Sequence, residues 1–304
     1  MTRDEQPSEL RVVAALVLVQ TLFGALPVAS KEVLPHVPPL ALALCRLAAA
    51  TLVLFALERA LVRAPAPRAK ELGQLAIFAL LGVVLNQGLF LAGVARTSAT
   101  HAILLIATIP VFTLLVATLL RHEKASALKV AGLAVSFAGV AVLVLAGGSD
   151  GATILGDLLV AANSLSYSIY LVVSRPSLKT RDPLSLIAWV FLLGTLEMAV
   201  VALPQTIGAD WAGMETRAWI AFAYILLGAT VVTYALNTWT LRHASASRVA
   251  SFVYLQPLVG VLLAILVRGE AFTARTALAG ALILVGVFLA NRVAPSKRAA
   301  AAAE

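Results

Sequence analysis

Two ionisable side chains stand inside long apolar runs of the sequence, where a charge is expensive. Arg46 interrupts LALALCRLAAATLVLFAL, and Glu197 interrupts WVFLLGTLEMAVVAL. In hydrocarbon such a charge costs about 3 kcal/mol or more, so each should face a protein interior or water. Arg46 could attract the carboxylate of a ligand or pair with carbonyls at a helix end. Glu197 could bind a proton or a ligand amine, or serve as a hydrogen-bonded structural carboxyl.

Amide and aromatic side chains recur along the same apolar runs. Asn163, Tyr167 and Tyr170 fall on one stripe of a helix. A cavity with aromatic walls and a few amides suits an amphipathic small molecule. Amides could instead bond between helices, and aromatics such as Trp239 could lie at a membrane interface. The candidate cavity residues, with the two charges, are Gln20, Phe23, Arg46, Asn86, Gln87, Phe90, Asn163, Tyr167, Tyr170, Trp189, Glu197, Tyr234, Asn237, Tyr254 and Gln256.

Two prolines lie near the middle of apolar runs. Pro110 and Pro257 each remove one backbone hydrogen bond and should kink a helix. Helix breaks at equivalent places in two halves of a chain point to a ligand site, so these prolines are candidate gating residues. The alternative is a purely structural bend, tolerated because neighbouring helices shield the freed carbonyl.

Two glutamates lie in short connectors that follow the proline-containing runs. Glu123 and Glu270 come three residues before Ser126 and Thr273, which are typical N-cap residues. A carboxylate there also faces the positive end of a helix dipole, so we expect a structural role in capping and loop order. A gating salt bridge is the alternative. We interpret His101, at the end of its run, as a packed or interface histidine rather than a proton relay.

Several kinds of chemistry have no matching motif in the sequence. The four histidines form no HExxH motif or Ser–His pair, and no paired aspartates stand at mid-span. The single Cys45 lies in an apolar run, so neither a disulfide framework nor a cysteine-based metal site is indicated. No GxxxxGK[ST] loop is present, so ATP-driven pumping would need a separate subunit. We expect no enzyme activity, metal or cofactor.

The elements that must position these residues are membrane-spanning helices. Of 304 residues, 61% are hydrophobic and 12% are charged, about half the charge of a typical soluble chain. The polar start MTRDEQPSEL lacks the pattern of a signal peptide. The connectors are too short for a soluble domain. We predict ten spans near residues 12–30, 40–57, 74–94, 98–120, 128–146, 154–174, 184–206, 218–240, 248–267 and 274–291.

The placement of Lys and Arg predicts the orientation of these spans. With the N-terminus inside, 17 of the 23 basic residues fall on the inner side and 5 on the outer side, and Arg46 is the remaining one. Because basic residues accumulate in cytoplasmic connectors, both termini should be cytoplasmic in a bacterial-type inner membrane. This distribution also explains the net charge of +8 without a nucleic-acid partner.

An internal repeat relates the two halves of the chain. Pro110, Arg121, Glu123 and Gly139 recur 147 positions later, and residues 108–143 match 255–290 at ten of 36 positions without a gap. Each half holds five spans, an odd number, so the second half must enter the membrane in the opposite direction. The predicted units are 1–147, 148–293 and a disordered cytoplasmic tail at 294–304.

The repeated helix pair resembles the drug/metabolite transporter superfamily. The likeness is to its EamA-type ten-helix exporters, and most of all to exporters of the YddG type, which carry aromatic amino acids. Arg46 resembles the arginine of the second helix, whereas Val190, roughly opposite in the second half, is apolar. Gly132 and Gly280 depart from the repeat register by one residue. The motif residues are Pro110, Glu123, Gly132, Gly139, Pro257, Glu270, Gly280 and Gly286.

The resemblance implies a fold and a function. The fold is an all-α polytopic membrane protein with two inverted five-helix repeats around a central cavity. The function is secondary export of small amphipathic metabolites, with aromatic amino acids favoured, by alternating access at mid-membrane. Import, drug or cation export, and a non-transporting scaffold are the alternatives. The expected partners are a small-molecule substrate and the lipid bilayer; a monomer is expected, and an oligomer stays open.

Overall fold

A computed structural model describes residues 8–123, 126–145, 151–243 and 252–291 of the chain. These residues form long helices joined by short connectors, and none of them lies in a β-strand. The helices are numbered by span. Their bounds are Glu9–Val33 (α1), Pro39–Leu61 (α2), Ala69–Val94 (α3), Ala99–Leu119 (α4), Ala127–Leu145 (α5), Ile154–Lys179 (α6), Pro183–Ile207 (α7), Leu255–Arg268 (α9) and Ala274–Asn291 (α10), and α8 comprises Thr216–Ala223, Tyr224–Val232 and Thr233–His243.

The helices confirm the prediction of a polytopic membrane protein. Eight of them are long and apolar enough to cross a bilayer, and α9 and α10 are shorter apolar helices. The predicted start of the ninth span, at residue 248, lies outside the described residues. Apart from α4, in which only the terminal Leu119 is exposed among the large apolar residues, the helices bury one face against their neighbours and leave large apolar side chains exposed on the other. That distribution is expected where lipid rather than water surrounds the bundle.

The two halves of the chain pack against each other with a repeated pattern. Helix α1 packs on α8 and α9, and its counterpart α6 packs on α3 and α4. Likewise α2 packs on α8 as α7 packs on α3, while α2 pairs with α7 and α5 with α10. Exchanging the halves therefore reproduces these main pairings. The repeats are interleaved around a shared centre rather than standing side by side as two lobes.

Small residues bring α5 and α10 into close contact. A Cβ added to Gly132 would lie 2.5 Å from the amide nitrogen of Ala290, and one added to Gly286 would collide with the backbone of Ser136. Backbones approach this closely in membranes at stripes of small residues. The spaced glycines of the repeat therefore hold its last helix to the last helix of the other repeat, whereas Gly280 faces Leu104 of α4.

Two helices contain a π-helical segment at equivalent places in the repeat. These segments are Leu80–Leu85 in α3 and Tyr224–Val232 in α8. Each contains a glycine, Gly82 or Gly228, and the two glycines are 146 positions apart. A π-segment widens the helix and leaves carbonyls without their usual partner, and such segments often mark functional sites. Both lie inside their spans, so the freed carbonyls must be satisfied within the protein.

Polar side chains of α6 satisfy carbonyls of α3. Ser166 Oγ donates to the carbonyl of Leu81, 2.8 Å away, and Asn163 Nδ2 donates to the carbonyl of Asn86 at 2.6 Å. Both donors are buried. The irregular backbone of α3 is therefore tied to the neighbouring half of the chain, next to the residues that were expected to line a cavity.

The first predicted proline break is present in α4. The helix stops at Ile106 and resumes at Ile109, immediately before Pro110. The hydroxyl groups of Thr108 and Ser164 both donate to the carbonyl of Leu105 and stabilise the break. A membrane helix tolerates such an interruption when nearby hydroxyl groups take over the lost bonds.

The second proline lies near a similar irregularity. Val253 and Tyr254 form a non-helical turn, after which α9 begins at Leu255, two residues before Pro257. Both proline-containing helices are therefore irregular just N-terminal to the proline.

Candidate functional site

A cavity of about 240 Å³ lies where eight of the ten helices converge, α5 and α10 being the exceptions. Its walls come from both halves of the chain. Ten of the fifteen candidate cavity residues line it, namely Phe23, Arg46, Asn86, Gln87, Phe90, Asn163, Tyr167, Tyr170, Tyr234 and Gln256.

Arg46 is the charged residue of this cavity and is only 3% exposed. Its Nη1 donates to Gln87 Oε1 at 2.5 Å, and its Nε donates to Thr230 Oγ1 at 3.4 Å. These partners sit beside or within the two π-helical segments, so both halves hold the guanidinium. The two bonds use two of its five N–H donors. Within the described part of the chain, no carboxylate lies within ion-pair distance of Arg46.

The amide side chains differ in how much of their bonding capacity remains free. The amide nitrogen of Asn163 is occupied by the backbone of α3. Gln256 Nε2 donates to Gln20 Oε1 at 2.5 Å, and Gln20 is 2% exposed. Gln20 therefore lies behind the cavity wall and orients Gln256 rather than lining the cavity itself.

Aromatic rings form one wall of the cavity. The ring of Tyr234 meets Phe23 and Phe191 edge-on, with centroids 6.3 Å and 5.2 Å apart. Tyr167 and Tyr170 lie together with centroids 5.7 Å apart. Such contacts fix the rings and leave a rigid apolar surface toward the cavity.

The π-helical segment of α3 makes room for one of these rings. A Cβ on Gly82 would lie 2.5 Å from the ring of Tyr170, so only glycine allows the ring to lie against the backbone there. The lining includes apolar residues that were not singled out from the sequence, because periodicity alone does not tell which face of a helix meets a cavity. These are Leu26, Pro27, Gly82, Val83, Ile106, Ile109, Ile187 and Phe191.

A second cavity of about 750 Å³ adjoins the first between α1, α4, α6 and α9. Both predicted gating prolines, Pro110 and Pro257, line it, as does Tyr254. Its other α4 residues are aliphatic, and the break of α4 and the turn before α9 both line it.

Besides Gln20, three candidate residues lie outside both cavities. Trp189 packs edge-on against Phe55 at 5.5 Å, and its indole nitrogen has no hydrogen-bond partner among the described residues. Glu197 is half-buried on α7, and one carboxylate oxygen likewise lacks a described partner. Asn237 is half-buried on α8, and its backbone carbonyl accepts from Thr240. Their predicted contact with a ligand has no support in the geometry.

Glu270 caps a helix, but not the helix that follows it. Its two carboxylate oxygens accept from the backbone amides of Ala99 and Thr100 at 2.8 and 2.9 Å. These are the first amides of α4, in the other half of the chain. The cap of the following helix is Thr273, whose hydroxyl accepts from the amide of Thr276, as the sequence predicted.

Glu123 stands at the equivalent point of the first repeat. Its amide donates to the carbonyl of Ala117 just as that of Glu270 donates to Ala264, and both pairs share the 147-residue offset. Its carboxylate, however, pairs with Lys129 at 2.8 Å and is 38% exposed. Ser126 caps the following helix through the amide of Lys129. The same turn thus presents the two glutamates to different partners.

His101 takes part in a buried polar cluster that sequence reasoning did not assemble. Its Nδ1 lies 3.0 Å from an oxygen of Asp157, which also accepts from the hydroxyl of Thr97. Asp157 is 2% exposed in the first turn of α6. An acidic residue there looks like an ordinary partner of the helix dipole, so its contact with α4 could not be predicted from the sequence.

Ionic and polar contacts join both halves at the end of the bundle that holds Glu270, which is the predicted outer end. Glu32 of α1 pairs with Arg217 of α8 at 2.8 Å and also with Arg268 of α9. Lys31 Nζ donates to the carbonyl of Thr97 at 2.8 Å. Together with the Glu270 cap, these contacts join α1, α4, α8 and α9 at this end.

The serines of α6 are further residues that sequence reasoning passed over. Ser168 Oγ donates to the carbonyl of Ile109 at 3.0 Å, beside the break in α4, just as Ser164 and Ser166 serve neighbouring carbonyls. The alternation in NSLSYSIY was the available signal. Alternate residues of a helix face different sides, so these serines can reach both α3 and α4.

The fold and the cavity define a class: a polytopic helical membrane protein with a central cavity shared by two interleaved repeats. The profile of the EamA-like transporter family matches residues 10–145 and again 154–292. The chain belongs to this family, and it is a transporter rather than an enzyme.

Several related proteins agree with this assignment. The chain is 30% identical to an uncharacterized transporter of Archaeoglobus fulgidus over 73% of this chain and 77% of that protein. It is 27% identical to a probable terminal-alkyne amino-acid exporter of Streptantibioticus cattleyicolor, over 74% and 75% respectively. It is 26% identical to a WAT1-related chloroplastic protein of Arabidopsis thaliana, over 90% and 68%.

A solved crystal structure shares the fold. It superposes with a TM-score of 0.62 over 93% of this chain and 98% of that chain, at 18% sequence identity. At that identity the likeness concerns the fold alone.

Proposed function

We propose that this transporter exports small amphipathic metabolites, and that its substrates are amino acids with large apolar or aromatic side chains. Transport would proceed by alternating access to the mid-membrane cavity. The protein would lie in a bacterial-type inner membrane with both termini in the cytoplasm. The observation that carries the proposal is the buried guanidinium of Arg46 in the wall of an aromatic cavity.

Arg46 favours an anionic group on the substrate. A cation buried without a counter-ion is costly, and a carboxylate entering the cavity would reduce that cost. The described lining residues of both cavities include no Asp or Glu. A cationic drug would therefore meet a positive charge and no negative one, which disfavours the alternative of a cation exporter.

The remaining lining favours an amphipathic molecule over a purely polar one. The rings of Phe23, Tyr167, Tyr170 and Tyr234 offer apolar surface, while the side chain of Gln87 lies beside Arg46. Ligand sites of this kind combine an apolar wall with a few polar groups that fix orientation. The name of the relative from Streptantibioticus cattleyicolor, a probable amino-acid exporter, is in keeping with such a substrate.

Alternating access is supported by irregular backbone on several sides of the cavity. The π-helical segments lie in α3 and α8, a proline-associated break lies in α4, and a non-helical turn comes directly before α9. Helices that are already interrupted can change direction at one end while the other end stays packed. Discontinuous helices at equivalent places in two repeats are typical of secondary transporters.

Purified protein in liposomes tests the substrate assignment. Liposomes loaded with unlabelled L-phenylalanine should exchange it for external labelled L-phenylalanine, and a panel of amino acids and cationic drugs defines the preference. Arg46→Gln should raise KM for amino acids on the order of ten- to a hundredfold, since a charge-assisted hydrogen bond contributes about 1.5–3 kcal/mol. Arg46→Lys, which keeps the charge, should raise KM for amino acids by a smaller factor.

An uncharged analogue provides the control. Phenylethanol, which lacks the carboxylate and the amine, should compete for the site equally well in the wild type and in Arg46→Gln. If Arg46→Gln weakens the binding of both compounds equally, or if the variant does not fold, the proposed role of Arg46 in binding the carboxylate would be contradicted. Exchange of cationic drugs but of no amino acid would contradict the proposed substrate, and net uptake into intact cells against a gradient would favour import.

Cysteine labelling tests the orientation. Ala66 and Ala212 are exposed in the α2–α3 and α7–α8 connectors, which are predicted to lie inside and outside. In a Cys45→Ala background, a membrane-impermeant maleimide added to intact cells should label Ala212→Cys and spare Ala66→Cys. The reverse pattern would overturn the predicted topology.

A further inference from the structure

The second cavity adjoins the first on the side of α1, α4, α6 and α9. Residues of these four helices belong to both walls, so the two spaces meet at shared side chains. The shared residues are Phe23, Pro27, Ile106, Ile109, Tyr167 and Gln256. A molecule that occupied both spaces would pass between these shared side chains.

The two cavities differ in chemistry. The part of the first cavity that the second does not share holds the guanidinium of Arg46 and the amides of Asn86, Gln87 and Asn163. The part contributed by the second has no charged lining residue among those described, and its α4 wall is aliphatic, including Ile103. The two adjoining spaces therefore offer a polar, cationic part and an apolar part.

Size decides how a substrate would use this space. Sites for small molecules usually measure about 300–1,000 Å³, and the first cavity, at about 240 Å³, falls below that range. The second, at about 750 Å³, lies within it. The first cavity accommodates a head group or a very small ligand, and a larger substrate needs the second.

We propose that the second cavity is the subsite for the apolar side chain of the substrate, and that Ala107 limits the size of that side chain. The carboxylate would bind Arg46 and the side chain would point toward Pro110 and Pro257. This assignment rests on the proposed function, which supplies the amino-acid head group. It predicts a preference for bulky apolar side chains over small or polar ones.

Ala107 is suited to this role by its position and its surroundings. It is half-buried in the turn that interrupts α4, where it packs at the edge of the apolar core and lines the second cavity. Gly24 also lines the cavity, but a Cβ at that position would lie 2.9 Å from the carbonyl of Gln256 and would force the backbone apart. A substitution at Ala107 therefore reduces the volume of the subsite without the backbone clash that a substitution at Gly24 would cause.

The test measures exchange of L-phenylalanine and of L-alanine by wild-type protein in liposomes, and then by Ala107→Val and Ala107→Phe. The ratio of kcat/KM for phenylalanine to that for alanine should fall in graded steps, at least about tenfold for Ala107→Phe, as expected when a filled apolar pocket rejects a larger group. Ala138→Phe, on an exposed face of α5, is the matched control and should leave the ratio unchanged. If Ala107→Phe fails to fold, the smaller fall in this ratio that is expected for Ala107→Val tests the proposal.

The possible results separate this inference from the function on which it rests. An unchanged ratio in variants that still exchange amino acids would overturn the subsite while the proposed function stands. Equal loss for both substrates would also overturn it, because it would mean that the substitution blocks passage in general. If the wild type exchanges no amino acid, the proposed function itself fails, and the inference fails with it.

Discussion

The cap formed by Glu270 joins the two halves of the chain and should control access from one side. The carboxylate belongs to the α9–α10 connector, and the amides that it accepts from, those of Ala99 and Thr100, begin α4. Those two residues are 0% and 3% exposed. Any movement that separates α9 from α4 at this end must leave the amides without the carboxylate. The substitution Glu270→Gln keeps the shape of the side chain and removes the charge.

The expected size of the effect follows from the number of bonds. A glutamine has one carbonyl oxygen, so it can accept from one of the two amides while its NH2 group faces the other. The loss of one hydrogen bond to a charged group amounts to about 1.5–3 kcal/mol. The lost interaction with the helix dipole adds about 0.3–1 kcal/mol. Taking about 2 kcal/mol as a conservative total, the equilibrium should shift roughly thirtyfold toward the form that is open at this end.

Labelling of a cysteine in the cavity measures that shift. Tyr167 lines both cavities, and Tyr167→Cys in a Cys45→Ala background would report access. The rate of reaction with an impermeant maleimide, applied on the side that Glu270 faces, should rise by up to about thirtyfold in Glu270→Gln. The matched control is Glu123→Gln, because the equivalent carboxylate pairs with Lys129 of its own repeat.

Two results would refute this reasoning. If Glu270→Gln folds and transports but labels at the wild-type rate, the cap is a local structural feature that opening does not break. If Glu123→Gln raises labelling from the same side by the same amount, the effect is a general loosening of the connectors.

Two further predictions concern packing and the prolines. Gly132→Ala should lower the free energy of unfolding in detergent by about 1–3 kcal/mol, because its Cβ would meet the backbone of Ala290. Gly73→Ala, with nothing within 4 Å of its Cβ, should raise it by about 0.5–1 kcal/mol; equal effects would contradict the close packing of α5 on α10. Pro110→Ala and Pro257→Ala should bias the labelling of the cavity cysteine toward opposite sides of the membrane, since the repeats are inverted. Unchanged labelling in both would show that the prolines are only bends.

Much of the architecture was predictable because its signals are local or periodic. Apolar runs of sufficient length indicated the spans, and the 147-residue register located Pro110, Glu123 and their counterparts. The break in α4 followed from the missing amide of Pro110. The caps at Ser126 and Thr273 followed from residue type at a helix start. Each of these depends on a few neighbouring residues, so the sequence carries the information directly.

The π-helical segments were not predictable in the same way. An extra residue in a helical turn changes neither the composition nor the apolar character of Leu80–Leu85. The segment is stabilised by two residues that are far away in the sequence. Ser166 donates a hydrogen bond to a carbonyl within the segment, and Asn163 donates one to the carbonyl of the residue that follows it. The hydroxyl of Thr230, which donates to the carbonyl of Ile225 at 2.8 Å, does the same within α8.

The partner of Glu270 was unpredictable for a related reason. The sequence placed the carboxylate near the start of α10, where Thr273 already serves as the cap. Only the packing of α9 against α4 brings the free amides of Ala99 and Thr100 to it. The pairing of His101 with Asp157 likewise depends on the contact between α4 and α6.

The sequence by itself determined that this chain is a helical membrane protein with an internal repeat, because hydrophobic length and a fixed register are properties of the chain order. From the number of spans and the placement of charges it predicted that the two repeats are inverted. The tertiary structure decided which of the candidate cavity residues line the same cavity. Phe23 and Gln256 are 233 positions apart, yet they line one cavity, whereas Trp189 and Glu197 lie outside it. A helix can turn any face toward its neighbours, and the faces that meet are chosen by close packing at residues such as Gly82 and Gly132. The gathering of the cavity residues around Arg46 therefore depends on the packing of the whole bundle and not on any single span.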